Sequence, residues 1–140
     1  MPDPNSDYDL AGQVIGCAME VHRQLGYGFN EKVYKNALAI ELKEKGFEIE
    51  VEKKIKVYYK ATVVGDFAAD IMVENELILE LKAVKSLNPA HEAQLVNYLK
   101  ATNTANGLLI NFGSSSLQFK KKFKDYNLKQ SPPPKLQSNF

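Results

Sequence analysis

A chain of 140 residues, 44% hydrophobic and 25% charged, has the length and balance of one globular domain, which excludes two full domains, collagen-like repeats and extensive disorder. With 18 Lys and Arg against 17 Asp and Glu the net charge is +1, so affinity for nucleic acid must come from a local patch. The lone Cys17 excludes an internal disulfide, a cysteine zinc site and a thiolate-held iron–sulfur cluster within one chain, and no apolar run reaches membrane-span length, which predicts a cytoplasmic protein.

Leu10, Val14, Cys17, Val21 and Leu25 recur at three- and four-residue spacing and predict an amphipathic helix, capped by Asp7 or Asp9. Gly26 and Gly28 break it. Asn30 then suits the N-cap of a second helix with Val33, Tyr34, Ala37, Leu38 and Leu42 on its apolar side, and Gly46 its end. The period next falls to two. Phe47, Ile49 and Val51 alternate with Glu48, Glu50 and Glu52, and Ile55, Val57 and Tyr59 with lysines, predicting two strands joined near Lys53 and bridged by cross-strand Glu–Lys pairs. Two more strands are expected over 66–73 and 77–82, joined by a turn of Glu74, Asn75 and Glu76. Asn88 and Pro89 open a third helix that runs to about Thr102 with Leu95 and Leu99 buried. A β-type run follows over 107–112, then a strand or helix over 117–123. Residues 125–140, with Pro132, Pro133 and Pro134, read as a flexible polar tail, leaving 1–124 as one domain. The expected class is α/β, a mixed central sheet flanked by helices.

The hairpin over 66–82 carries the chemistry. A three-residue loop pairs Val73 with Leu77, and three steps outward along each strand place Asp70 opposite Glu80. Opposed carboxylates repel, and the flanking Ile71, Met72, Val73, Leu77, Ile78 and Leu79 belong in a sheet interior where stray charge is costly. A Mg²⁺ or Mn²⁺ ion with oxygen ligands removes the conflict. Lys82 shares a strand face with Glu80 and could hold a water there or neutralise a phosphate. Two further features frame the hairpin. Glu31 lies in the first turn of the second helix, where an acid also complements the helix dipole. Gln94 and Tyr98, four residues apart, share one face of the third helix with His91 one turn earlier, a pattern equally at home in a purely structural helix.

The run from Gly28 to Tyr34 resembles the signature of the GxxExxY proteins, within the PD-(D/E)xK nuclease superfamily. The likeness extends over Val21-His-Arg-Gln-Leu-Gly26, Phe67-Ala-Ala-Asp70, Glu80-Leu-Lys82, His91-Glu-Ala-Gln94, Tyr98-Leu-Lys100 and Gly107-Leu-Leu-Ile-Asn-Phe-Gly113, about two thirds of the chain. The resemblance implies a PD-(D/E)xK nuclease-like core that hydrolyses phosphodiester bonds of nucleic acid, DNA being the expected substrate, with a non-catalytic nucleic-acid or protein interaction module as the alternative. It implies that Glu31, Asp70, Glu80 and the Leu81 carbonyl hold Mg²⁺ or Mn²⁺, and that Lys82 is the catalytic lysine. Gln94 and Tyr98 look like the Gln-x3-Tyr element of the RecB-like branch, which contacts substrate or orders the site. Ala69 stands where the superfamily name has proline, a backbone preference and not a ligand. His22 is either a helix-end structural residue or a further metal ligand. The lysines Lys120, Lys121, Lys122 and Lys124, interleaved with Phe119 and Phe123, read as a solvated face or a phosphate-binding one with the rings turned inward. A homo-oligomer or larger complex is compatible with all of this.

Overall fold

The computed structural model describes residues 6–124; the expected tail over 125–140 lies outside the described residues. Three helices, α1 (Ser6–Leu25), α2 (Glu31–Glu44) and α3 (Pro89–Thr102), flank a sheet of β1 (Ile49–Tyr59), β2 (Thr62–Val73), β3 (Leu77–Lys82), β4 (Asn106–Asn111) and β5 (Gln118–Phe123). Strand order follows the chain, and only β3 and β4 run parallel because α3 crosses over between them. The sheet is therefore mixed and the class α/β, as the sequence predicts. No described helix is long and apolar enough to cross a membrane.

Alternation along β3 sorts the core into two layers. Leu77, Leu79 and Leu81 pack with Leu108, Ile110 and Phe112 under α1 and α2, whereas Ile78 packs with Met72, Leu109 and the α3 residues Leu95, Tyr98 and Leu99. Glu80 and Lys82 share the parity of Ile78 and so belong to the α3 face.

The predicted caps hold for α2 and α3. Asn30 accepts from the Val33 N–H, Gly46 follows α2 with φ +91°, and Asn88 and His91 form a reciprocal cap ahead of Pro89. Helix α1 departs from expectation: it starts at Ser6, so Asp7 and Asp9 lie inside its first turn, which tolerates acids through the helix dipole, and neither is its cap.

The two strands expected on either side of Lys53 are one continuous strand, β1, so their Glu–Lys cross-strand pairs do not form. Lys53 instead meets Glu50 at 3.6 Å within the strand, and Lys56 meets Asp66 at 3.3 Å across to β2. The turn lies later, at Lys60 and Ala61, both with positive φ, the two-residue geometry whose twist suits a hairpin. Asn-Gly would have announced it, and Lys-Ala does not.

Loop α1–α2 is clamped by Tyr34, which is fully buried. Its hydroxyl donates to the Gly26 carbonyl at 2.6 Å and accepts from the Phe29 N–H at 3.2 Å, while its ring stacks on Phe112 at 4.7 Å. Tyr34 thereby fixes where Glu31 starts α2. Tyr34→Phe keeps the ring but leaves both backbone groups unpaired, and should lower unfolding free energy by about 1–3 kcal/mol in a urea titration. An unchanged midpoint would mean that water replaces the hydroxyl freely.

Candidate active site

Strands β1 and β2 exchange faces together at one point. Ile49, Ile71 and Val73 pack toward α1 and α2, but Ile55 and Ala69, of the same parity, belong to the α3 layer. Between them the ladder runs from Val51–Ile71 to Lys53–Ala69 and skips the Glu52–Asp70 pair, and Glu52 has φ +57°, an uncommon conformation for a residue with a side chain. The sheet opens at Asp70. On its other side the pairing Val73–Leu77 to Ile71–Leu79 has the predicted register, whose next step sets Asp70 against Glu80.

Side chains take over there from the backbone ladder. The Asp70 N–H donates to Glu80 Oε1 at 3.0 Å, and the Leu81 N–H donates to Asp70 Oδ2 at 2.7 Å. Each carboxylate thus closes a backbone donor of the opposite strand. Glu80 is only 6% exposed, and burial, reinforced by the Asp70 charge, pushes its carboxyl up to about 8. Burial raises Asp70 as well, against the opposing pull of the Leu81 N–H and of Lys35 and Lys82.

Lys82 acts electrostatically on both acids without closing an ion pair to either among the described residues. Its segment is fixed by Asn111, which is fully buried. The Asn111 Oδ1 accepts from the Val84 and Gly113 N–H groups at 2.9 and 3.0 Å, and its amide donates to the Val84 carbonyl and Gln118 Oε1, both at 2.8 Å. Glu31 is exposed at the start of α2, close enough for its charge to raise Glu80. One further cation, which no motif of the sequence singles out, joins the group. Lys35 Nζ lies 2.8 Å from Glu52 and 3.8 Å from Asp70, with its side chain 15% exposed. It follows Glu31 by one helical turn, the only signal that could have found it.

The donor set suits a hard dication. Asp70 and Glu80 converge, and among the described residues no donor bonds the second Glu80 oxygen. Also among the described residues, no group of three or more His, Cys, Asp or Glu forms a closed cage, so Glu31 does not complete one with this pair. Two carboxylates with water and phosphate oxygens are a usual Mg²⁺ environment.

Gln94 donates to the Tyr98 hydroxyl at 3.0 Å, and the Tyr98 ring tilts against Phe67 at 5.8 Å. Both residues border a groove of about 960 Å³ between α3 and the β1–β2 hairpin. Asp70, Glu80 and Lys82 do not line that groove, although the Glu80 and Asp70 charges act on Tyr98. The expected common pocket is therefore two adjoining regions. The His22 Nε2 lies 3.0 Å from the Ser114 carbonyl, which ties α1 to the β4–β5 loop. The basic run is strand β5, with its rings reversed from expectation. Phe119 and Phe123 are exposed, while Lys120 and Lys122 reach Glu92 of α3 at 3.4 and 2.7 Å.

Residues 8–124 match the sequence model of the PD-(D/E)XK nuclease superfamily. Among solved structures, "Crystal structure of SSO0001" aligns with a TM-score of 0.53 at 20% identity over 66% of this chain, which spans 49% of that one. An alkaline exonuclease (LHK-Exo) from Laribacter hongkongensis aligns with a TM-score of 0.51 at 11% identity, over 93% of this chain and 75% of that one. At these identities the two structures speak for the fold. No curated protein sequence matches the chain.

Proposed function

The chain belongs to the PD-(D/E)XK nuclease superfamily, and from that premise we propose that it is a Mg²⁺- or Mn²⁺-dependent hydrolase of phosphodiester bonds in DNA. The observation that carries the reading is the mutual closure of Asp70 and Glu80 across the opened hairpin, with Lys82 beside them. Residues 1–124 form the catalytic unit in this reading. Gly28, Glu31 and Tyr34 support the GxxExxY grouping, and the Gln94–Tyr98 pair supports the RecB-like branch.

Asp70, Glu80 and the Leu81 carbonyl would hold the cation, with Glu31 as the acid contributed from α2. Bound there, the ion supplies Lewis-acid polarisation of the scissile phosphate and a lowered pKa for the attacking water. Lys82 orients that water or neutralises the charge that grows on the phosphoryl oxygens. Lys35 steadies the Asp70 carboxylate from the helix side, leaving the Glu80 side open. Tyr98, held by Gln94, bounds the approach to the pair.

The test is a cleavage assay on single-stranded and duplex DNA. Products are expected with Mg²⁺ or Mn²⁺, and none with EDTA or with Asp70→Asn. DNA bound but left intact under every condition would return the interaction-module reading.

A further inference from the structure

The groove beside α3 has a composition that the acid pair does not explain. Its hairpin wall presents Tyr58, 61% exposed, and Phe67, 46% exposed, and its floor is Tyr98. Lys56 and Lys100 stand on opposite walls, with His91 at the α3 N-terminal end. Lys56 shares its charge with Asp66 at 3.3 Å, so Lys100 on the exposed face of α3 is the stronger anion contact. Tyr58 and Phe67 keep much of their aromatic surface in water between cations, which costs solvation. Such faces and cations are what a base and its phosphate need.

We propose that this groove binds an unpaired DNA strand, with bases stacked on Tyr58 and Phe67 and phosphates met by Lys100 and Lys56. This deepens, and rests on, the reading of the chain as a DNA hydrolase by naming the form of DNA it takes. The physical discrimination is simple. In a duplex the base faces are stacked on each other, so exposed rings gain nothing from it, whereas every base of a free strand offers a π-face irrespective of sequence. The volume of about 960 Å³ lies at the upper end of the range that encloses drug-sized ligands, which suits a few splayed bases. Tyr98 packs in one cluster with Ala69, the neighbour of Asp70, so the groove adjoins the acid pair and a strand seated in it would pass its backbone toward Asp70 and Glu80.

The test measures anisotropy of fluorescein-labelled oligo(dT), the matching duplex and oligo(U), in EDTA so that cleavage is stopped. Oligo(dT) should bind more tightly than the duplex. Tyr58→Ala should weaken oligo(dT) binding roughly five- to hundredfold, with Tyr58→Phe restoring it, and leave duplex binding unchanged. Lys100→Gln should flatten the salt slope for oligo(dT) by about 0.7. Both positions are exposed, and unchanged circular dichroism would show that the fold is retained. Absence of oligo(dT) binding, an equal response of strand and duplex to Tyr58→Ala, or binding of oligo(U) alone would overturn the proposal. Cleavage with Mg²⁺ is read separately. Tyr58-dependent binding without cleavage upholds the groove and removes the hydrolase reading, whereas cleavage with a KM that ignores Tyr58→Ala removes the groove alone.

Discussion

Lys82→Ala should lower kcat for DNA cleavage by about 10²- to 10⁴-fold with little change in stability. The residue is half-buried at the end of β3 and closes no ion pair with either acid, so truncation removes a charge from the site and little packing from the core. Asp70→Asn should cost at least as much, because the amide oxygen can still accept the Leu81 N–H while the negative charge is gone. The two losses should not add. Groups that act on one transition state fail together, so the double variant should resemble the worse single one. Single-turnover rates at saturating DNA separate this from binding, and rates within tenfold of the unmodified protein for both variants would move the chemistry away from the hairpin.

The Asp70–Glu80 apposition was readable in advance because its determinants are local: a three-residue turn sets the register, and the two-residue period of a strand sets the face. Asn30 and Asn88 were readable for the same reason, since a cap bonds within its own first turn. Lys35 was not. Its spacing from Glu31 is visible, but which side of α2 looks onto the sheet at Asp70 depends on how the helix packs on a sheet built later in the chain. Glu52 was hidden differently. A positive φ at a glutamate has no sequence signature, and it allows β1 to continue through a point where alternation suggested a break. Strand β5 misled because its phase is not set by the core. Lys120 and Lys122 have an acid on α3 to pair with while Phe119 and Phe123 stay exposed, which reverses the usual inference from apolarity.

Without divalent ions, stability should fall as pH rises from about 5 to 8, and Glu80→Gln should flatten that slope. The folded Glu80 carboxyl is held up to about 8, against 4.5 in the absence of the folded environment, so between those values the folded state binds the extra proton. Stability then decreases with pH across the window, because the unfolded chain binds fewer protons. Asp70 is raised too and adds in the same direction at the acid end. Glu20, Glu52 and Glu92 are lowered by their cationic partners, so their opposite contribution develops below about pH 4.5 and leaves the window clear. One pK unit corresponds to about 1.4 kcal/mol, so the accumulated loss is on the order of a few kcal/mol and shifts Tm by roughly ten degrees or more. Cation binding must expel the same proton. The apparent Mg²⁺ affinity should therefore rise close to tenfold per pH unit below 8 and level off above it, with about one proton released per ion in calorimetry run in buffers of differing ionisation enthalpy. A flat melting temperature between pH 5 and 8, or Mg²⁺ binding with no proton release, would mean that Glu80 is already ionised in the folded protein and that the repulsion across the hairpin is relieved by Lys35 and Lys82 alone.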